Sequence, residues 1–71
     1  MSPYHPAVQH VLQFFECAHL PPQLQEVSQP FRDLAYQIAD RDAQRDTQSP
    51  ETTVALRKLL ESKDAAVRSA L

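Results

Sequence analysis

Residues 19–31, HLPPQLQEVSQPF, separate two segments of periodic apolar residues and hold three of the six prolines in the chain. Proline disfavours the α conformation in the residue before it and lacks the N–H that a helix interior uses. We therefore expect Leu20-Pro21-Pro22 to end one helix, turn the chain and start a second helix at about Pro22. This proline-rich corner makes the second helix run back across the first.

The second helix is predicted from apolar residues that recur at spacings of three and four. They are Leu24, Val27, Phe31, Leu34 and Ile38. The helix should continue to about Arg41 or Gln44. Pro30 lies inside it and leaves two possibilities: the proline kinks one helix, or the helix restarts there with Ser28 as N-cap. Residues 40–48 mix acidic and basic side chains without an apolar stripe, which favours a solvated helix end followed by a loop.

The first helix is predicted to begin at Ser2-Pro3, with the serine as N-cap and the proline in the first helical position, and to end at about Ala18. Its apolar stripe consists of Val8, Val11, Leu12, Phe15 and Ala18. Phe14 lies about 100° from Phe15 around the helix and so at the edge of the stripe. We expect Phe14 either to pack on the corner or on another subunit, or to offer a stacking platform to a ligand ring.

The third helix has the clearest start, with Ser49 as N-cap, Pro50 in the first position and Glu51 where the helix dipole favours an acid. Its predicted buried side consists of Ala55, Leu56, Leu59, Leu60, Lys63, Val67 and Leu71. Asp64 and Arg68 are four residues apart in the order that favours an ion pair. Three helices with short connections predict an all-α protomer with a proline-rich corner.

Composition limits what this protomer can be. We expect residues 1–71 to form one helical domain, and so short a chain buries only about 60% of its unfolded surface. The single cysteine, Cys17, cannot form an internal disulfide and fits a reducing compartment, where it either packs as a small hydrophobe or acts as a reactive thiol. Assembly into a homo-oligomer would complete so small a core. A net charge of −2 argues against DNA or RNA as a partner.

The sequence contains no glycine, which argues against the phosphate-binding loops of Walker and Rossmann proteins. The first residues, MSPYH, lack a basic region followed by an apolar run. No segment approaches the roughly 20 apolar residues of a membrane span. We therefore expect a soluble, cytoplasmic protein without a membrane partner.

Few residues suggest catalysis or metal binding, and we predict a binding protein without a cofactor rather than an enzyme. His5 and His10 are five residues apart, about 140° around a helix, whereas zinc ligands on one helix face are four apart. His19 has no cysteine or carboxylate at ligand spacing, so it either bonds the last carbonyls of the first helix or contacts a ligand. Cys17 is too close to His19 in sequence to form a catalytic pair drawn from separate elements.

Residues 14–35, FFECAHLPPQLQEVSQPFRDLA, and residues 55–68, ALRKLLESKDAAVR, together make up about half of the chain. In the same order, these two blocks resemble a family of small phage proteins, the anti-CBASS cyclic-oligonucleotide sponges. The pattern LLExKDAAVR in the second block is the more specific of the two.

The resemblance implies a helical protomer that assembles into a hexamer and sequesters cyclic di- and trinucleotide second messengers without cleaving them, so that host immune effectors receive too little signal. Pockets between protomers would hold cyclic dinucleotides, with Phe14 stacking on a base and with Ser28 and Gln29 meeting the phosphates. A second type of site, where several protomers converge, would hold cyclic trinucleotides through Arg68. The family has tyrosine in place of Phe14 and lysine in place of Gln29.

Besides Phe14, four of the candidate ligand-binding residues also have a purely structural interpretation. Arg68 can pair with Asp64, and Ser28 can cap a helix. Phe31 is either core or the wall of the ligand site, and Lys63 either extends from the apolar stripe to solvent or binds the ligand. The rival function is a small helical interaction module that binds a host protein through an apolar face. Thermal stabilisation by a nucleotide separates the two functions, because only a sponge would show it.

Overall fold

The computed structural model describes residues 3–45 and 49–71, and the regular structure in these ranges is entirely helical. This confirms the all-α class and the three helices. Ser2, the predicted first cap, and residues 46–48 of the mixed-charge segment lie outside the described residues. The elements are α1 (Pro6–Leu12), a 3₁₀ turn (Gln13–Phe15), α2 (Pro22–Ala43) and α3 (Pro50–Ser69).

α1 begins three residues later than predicted and is shorter. Nδ1 of His5 accepts a hydrogen bond from the Ala7 N–H at 3.1 Å, and Pro6 follows this cap in the first helical position. The predicted start at Pro3 is therefore wrong, because His5 and Pro6 supply a cap and a proline closer to the apolar stripe. The helix tightens into the 3₁₀ turn and ends, so Ala18 lies exposed beyond it rather than in the stripe.

The corner is tied to the first turns of α2 by a side chain. Nε2 of Gln25 donates to the Leu20 carbonyl at 2.7 Å and to the Ala18 carbonyl at 3.3 Å. α2 begins at Pro22 as predicted and continues through Pro30 without interruption. The restart with Ser28 as N-cap is therefore wrong, since Ser28 lies in the interior of one helix.

The buried face of α2 differs from the predicted stripe. It is formed mostly by small and polar residues: Leu24, Ser28, Ala35, Ala39 and Asp42. At 3.6 residues per turn, this face is rotated by about 60° from the predicted one. Small side chains allow the neighbouring helices to approach α2 closely, and Phe15 and Leu56 are completely buried in the core that they share with Ala35. Leu34 was predicted to be buried, but it is 44% exposed.

α3 starts as predicted. The Ser49 hydroxyl accepts a hydrogen bond from the Glu51 N–H at 3.2 Å, and Pro50 takes the first position. Leu56 is buried, whereas Ala55 and Leu71 are exposed and were wrongly assigned to the buried side. The other residues of the predicted stripe are partly buried, namely Leu59, Leu60, Lys63 and Val67.

Contacts between the helices define their directions. The Tyr4 hydroxyl, just before α1, donates to Asp40 near the end of α2 at 2.5 Å. This hydrogen bond, together with burial, raises the pKa of Tyr4 to about 12. Lys63, late in α3, contacts the 3₁₀ turn that ends α1. α1 and α3 therefore run in the same direction and α2 runs against them.

None of the helices in the described ranges combines the length and the apolar character that a membrane crossing requires.

Candidate functional site

A cleft of about 410 Å³ lies between the 3₁₀ turn with the corner on one side and the last turns of α3 on the other. Three of the six residues selected from the sequence come together in it: Phe14, Lys63 and Arg68. The first two are 49 residues apart in the chain. The cleft is lined by Gln13, Phe14, Glu16, His19, Leu20, Lys63, Asp64, Val67 and Arg68.

Phe14 lines one wall of this cleft, and the residue is 48% exposed. The tight 3₁₀ turn directs the neighbouring Phe15 into the core, where it is completely buried, and leaves Phe14 outside. The ring packs edge-on against His10, with 5.5 Å between the centroids and 85° between the planes. Such an edge contact occupies only part of the ring, so an aromatic surface stays open for stacking.

Arg68 is exposed in the last turn of α3, on the same cleft. The ion pair with Asp64 does not form in the structure, because the Asp64 carboxylate pairs with Lys63 instead, with 3.5 Å between Oδ1 and Nζ. Within the described residues, no carboxylate lies within ion-pair distance of the Arg68 guanidinium. Its donors therefore remain free for an external acceptor.

Lys63 differs from Arg68 in both burial and bonding. Its side chain is only 12% exposed. Nζ donates to the Phe14 carbonyl at 2.7 Å and lies 6.0 Å from the centroid of the Phe15 ring. The lysine therefore bridges α3 and the 3₁₀ turn rather than extending from the apolar stripe into solvent.

The two acids of the cleft are both occupied by basic partners. Oε1 of Glu16 accepts a hydrogen bond from the Tyr36 hydroxyl at 3.1 Å and pairs with Arg32 Nε at 3.5 Å. Burial, followed by the hydrogen bond to Glu16, raises the pKa of Tyr36. The guanidinium of Arg32 also lies over the Tyr36 ring, 4.7 Å from its centroid. Asp64 is likewise paired, with Lys63. Among the carboxylate, ammonium and guanidinium groups that line this cleft, the Arg68 guanidinium is therefore the one without an ion-pair partner in the described residues.

His19 lies in the corner and lines the cleft, and it is exposed. The helix before it ends at Phe15, so its predicted role in bonding the last carbonyls of that helix is wrong. Sequence reasoning did not select Gln13, Glu16, Leu20 or Val67 as site residues. Three of these residues could have been found from their neighbours in the sequence, because Gln13 and Glu16 flank the two phenylalanines and Val67 precedes Arg68.

The other three selected residues lie outside the cleft. Ser28 is completely buried, and its hydroxyl has no hydrogen-bond partner among the described residues. Gln29 is exposed; its Oε1 accepts from the Cys17 thiol at 3.4 Å and its Nε2 donates to Asp33 at 2.9 Å. Phe31 is partly buried and packs against the core. Within one protomer, these residues do not face the ligand surface that Phe14 offers.

The lining of the cleft contains neither a serine or threonine hydroxyl nor a thiol. Across residues 3–45 and 49–71, no group of three or more histidine, cysteine, aspartate or glutamate side chains is arranged to hold a metal ion. What the cleft offers is an open aromatic ring, a free guanidinium and apolar walls. Comparisons of the chain with protein-family models, curated proteins and solved structures found no match.

Proposed function

We propose that this chain is a phage-type sponge, which binds cyclic di- and trinucleotide second messengers in the host cytoplasm and withholds them from CBASS-like immune effectors without cleaving them. One observation supports this function best. Phe14, selected for stacking in the dinucleotide site, and Arg68, selected for phosphate binding in the trinucleotide site, line one cleft although they come from opposite ends of the sequence. The proposal therefore differs from the resemblance in one respect: a single cleft serves both kinds of ligand.

The chemistry of the cleft suits such a ligand. Stacking of a base on an aromatic ring contributes about 1 to 3 kcal/mol, and a guanidinium can hold a phosphate through two parallel hydrogen bonds. A cleft of about 410 Å³ lies within the usual range of small-molecule sites. The net charge of −2 does not prevent binding, because the two nearby acids are paired and the ligand meets Arg68.

Assembly into a homo-oligomer, with a hexamer as the proposed state, would complete the site. The cleft is open, so a second protomer across its mouth could cover a ligand that one protomer leaves half in solvent. Exposed apolar residues are available for such contacts between protomers, among them Leu34, which is 44% exposed, and Val54, which is 42% exposed. Gln29 is exposed and could reach a ligand held between copies, whereas Ser28 is buried and could not.

A second candidate function is the interaction module that binds a host protein. The observation that favours it is the apolar face of α2 that carries Leu34, with Val27 and Ile38 only partly buried beside it. In this case the exposed face would be covered by a host protein rather than by another copy of the chain.

Calorimetric titration against cyclic di-AMP, cyclic di-GMP and cyclic tri-AMP tests the proposal, with the linear dinucleotide pApA as control. We expect at least one cyclic ligand to bind and to raise the melting temperature by mass action. Heating the complex and analysing the released ligand by chromatography should then recover it intact. A cleaved ligand would show an enzyme, and the absence of both heat and stabilisation with all three cyclic ligands would favour the protein-binding module.

A further inference from the structure

The ammonium group of Lys63 is already used by the protein itself. It donates to the Phe14 carbonyl at 2.7 Å and pairs with Asp64 at 3.5 Å, and the side chain is only 12% exposed. A lysine that binds phosphate as a point charge would keep this group free for the ligand. The contrast with the exposed guanidinium of Arg68 on the same helix indicates that the two cations have different roles.

The bond to Phe14 meets a need of the backbone. The chain turns into an extended conformation at Glu16, with φ −63° and ψ 134°, so the last carbonyls of the 3₁₀ turn lose the donors that a further helical turn would supply. Lys63 provides one of these donors from across the interhelical gap. A cation at this position also complements the negative end of the helix dipole.

Because the Phe14 side chain leaves the same residue whose carbonyl is held, fixing this carbonyl also fixes the Cα–Cβ bond from which the ring projects. We infer that Lys63 is a positioning residue: it anchors the 3₁₀ turn to α3 and holds the Phe14 ring on the side of the cleft that Arg68 shares, without contacting the ligand. The consequence for ligand binding rests on the proposed function, whereas the consequence for the ring does not.

A double-mutant cycle separates positioning from direct contact. With cyclic di-AMP as the probe, Lys63→Met should lower affinity about tenfold, and by no more than Phe14→Ala does, since the methionine keeps the stem and removes the donor. In the Phe14→Ala background, Lys63→Met should cause no further loss. An equal loss in both backgrounds would overturn the inference, because it would show that the ammonium acts on the ligand directly.

The matched control is Lys58→Met on the same helix; Lys58 is exposed and does not line the cleft, so this change should leave affinity unaltered. Lys63→Arg keeps a donor and should restore most of the affinity. Melting temperatures of all variants verify that they fold, and Lys63→Gln replaces Lys63→Met if the methionine variant does not.

A readout without ligand distinguishes failure of this inference from failure of the proposed function. In NMR spectra of the free protein, the nuclear Overhauser contacts between the rings of Phe14 and His10 should be present in wild type, in Lys58→Met and in Lys63→Arg, and should be lost in Lys63→Met. Retention of these contacts in Lys63→Met would overturn the positioning role. If wild type binds no cyclic nucleotide but the contacts change as expected, the proposed function fails and the role of Lys63 in orienting the ring stands.

Discussion

Where α2 leads to α3, one oxygen of the buried Asp42 carboxylate accepts two hydrogen bonds from the protein, whereas at the other end of α3 the guanidinium of Arg68 has no hydrogen-bond or ion-pair partner among the described residues. Oδ1 of Asp42 accepts hydrogen bonds from the Ser49 N–H at 3.1 Å and from the Thr52 hydroxyl at 2.7 Å. At a rise of 1.5 Å per residue, Lys63 lies about 20 Å from Pro50 along α3, so the two regions are well separated. Around Lys63 the protein leaves a guanidinium and an aromatic ring open.

The pKa of Asp42 also reflects how fully the protein uses this carboxylate. The hydrogen bond from Thr52 is the main cause that lowers the pKa of Asp42, with help from the Ser49 N–H and from the nearby Arg45 and His5 side chains, against the opposing effect of burial. A buried polar group that the chain satisfies itself stabilises the fold and offers little to a ligand. An exposed group that the chain leaves unsatisfied contributes little to stability and is free for recognition. This difference predicts which substitutions change stability and which change binding.

The largest effect should follow removal of the carboxylate at the closed end of the molecule, by which we mean the junction of α2 and α3 where Asp42 bonds Ser49 and Thr52. Asp42→Ala leaves the Ser49 N–H and the Thr52 hydroxyl without their acceptor and should cost about 3 kcal/mol of the free energy of unfolding. Urea denaturation measures this loss, and Glu26→Ala, an exposed acid on the same helix, should stay within about 0.5 kcal/mol of wild type. A loss for Asp42→Ala as small as that of the control would contradict the structural role of this end.

The next effect concerns the open end, by which we mean the cleft that Phe14 and Arg68 line. Arg68→Ala should lower affinity for cyclic tri-AMP by about 2 kcal/mol, roughly 30-fold, because a charge-assisted contact to phosphate is lost. The stability of this variant should change little, since the guanidinium has no ion pair to lose within residues 3–45 and 49–71. Arg57→Ala, an exposed arginine about three turns earlier in α3, is the matched control and should bind like wild type. Equal affinities of both variants would return Arg68 to a solvated surface role.

A smaller effect should appear in acid. The pKa of Asp42 is lowered in the folded state, so the charged carboxylate stabilises the fold above its ordinary pKa of 3.8, and this contribution is lost as the pH falls through the lower folded value. Asp42→Asn has no carboxylate to protonate. Between about pH 5 and pH 2, its melting temperature should therefore fall less than that of wild type. Parallel curves for the two proteins would show that Asp42 does not carry the acid sensitivity.

The smallest effect should come from Ser28, and it should be stabilising. Its hydroxyl is completely buried and has no hydrogen-bond partner in the part of the chain that the structure describes, so Ser28→Ala removes an unsatisfied polar group and adds helix propensity. We expect a gain of about 1 kcal/mol, larger than the roughly 0.5 kcal/mol that propensity alone gives to the exposed control Ser62→Ala. Ligand affinity should not change. A loss of affinity would show that Ser28 reaches the ligand despite its burial in the protomer.

Local signals in the sequence were sufficient for the corner and for the start of α3. Leu20-Pro21-Pro22 and Ser49-Pro50 each restrict the backbone directly, and the structure follows them. The start of α1 could not be decided in this way, because Ser2-Pro3 and His5-Pro6 are competing caps of the same kind. The choice depends on which of them places the apolar stripe on the core.

Which face of α2 is buried, and which residues meet in the cleft, depend on packing between the helices, and the periodicity of apolar residues does not specify this packing. The bulky residues of α2 suggested one buried face, but the close approach of the other helices selected small side chains such as Ala35 and Ala39. Likewise, Phe14 and Arg68 could be selected by residue type and by the family resemblance, but their meeting in one cleft requires the parallel course of α1 and α3. The role of Lys63 depends on a side-chain to backbone contact across 49 residues, for which no sequence pattern exists.

The most direct test of the central claim, that the open end and not the closed end binds the ligand, is an NMR titration of the labelled protein with cyclic tri-AMP. We predict that the shifted amides cluster at residues 13–20 and 63–68, around Phe14 and Arg68, and that Thr52 and Thr53 near the closed end stay unchanged. Shifts confined to the closed end or to the Leu34 face of α2, or no shifts at all, would contradict the account.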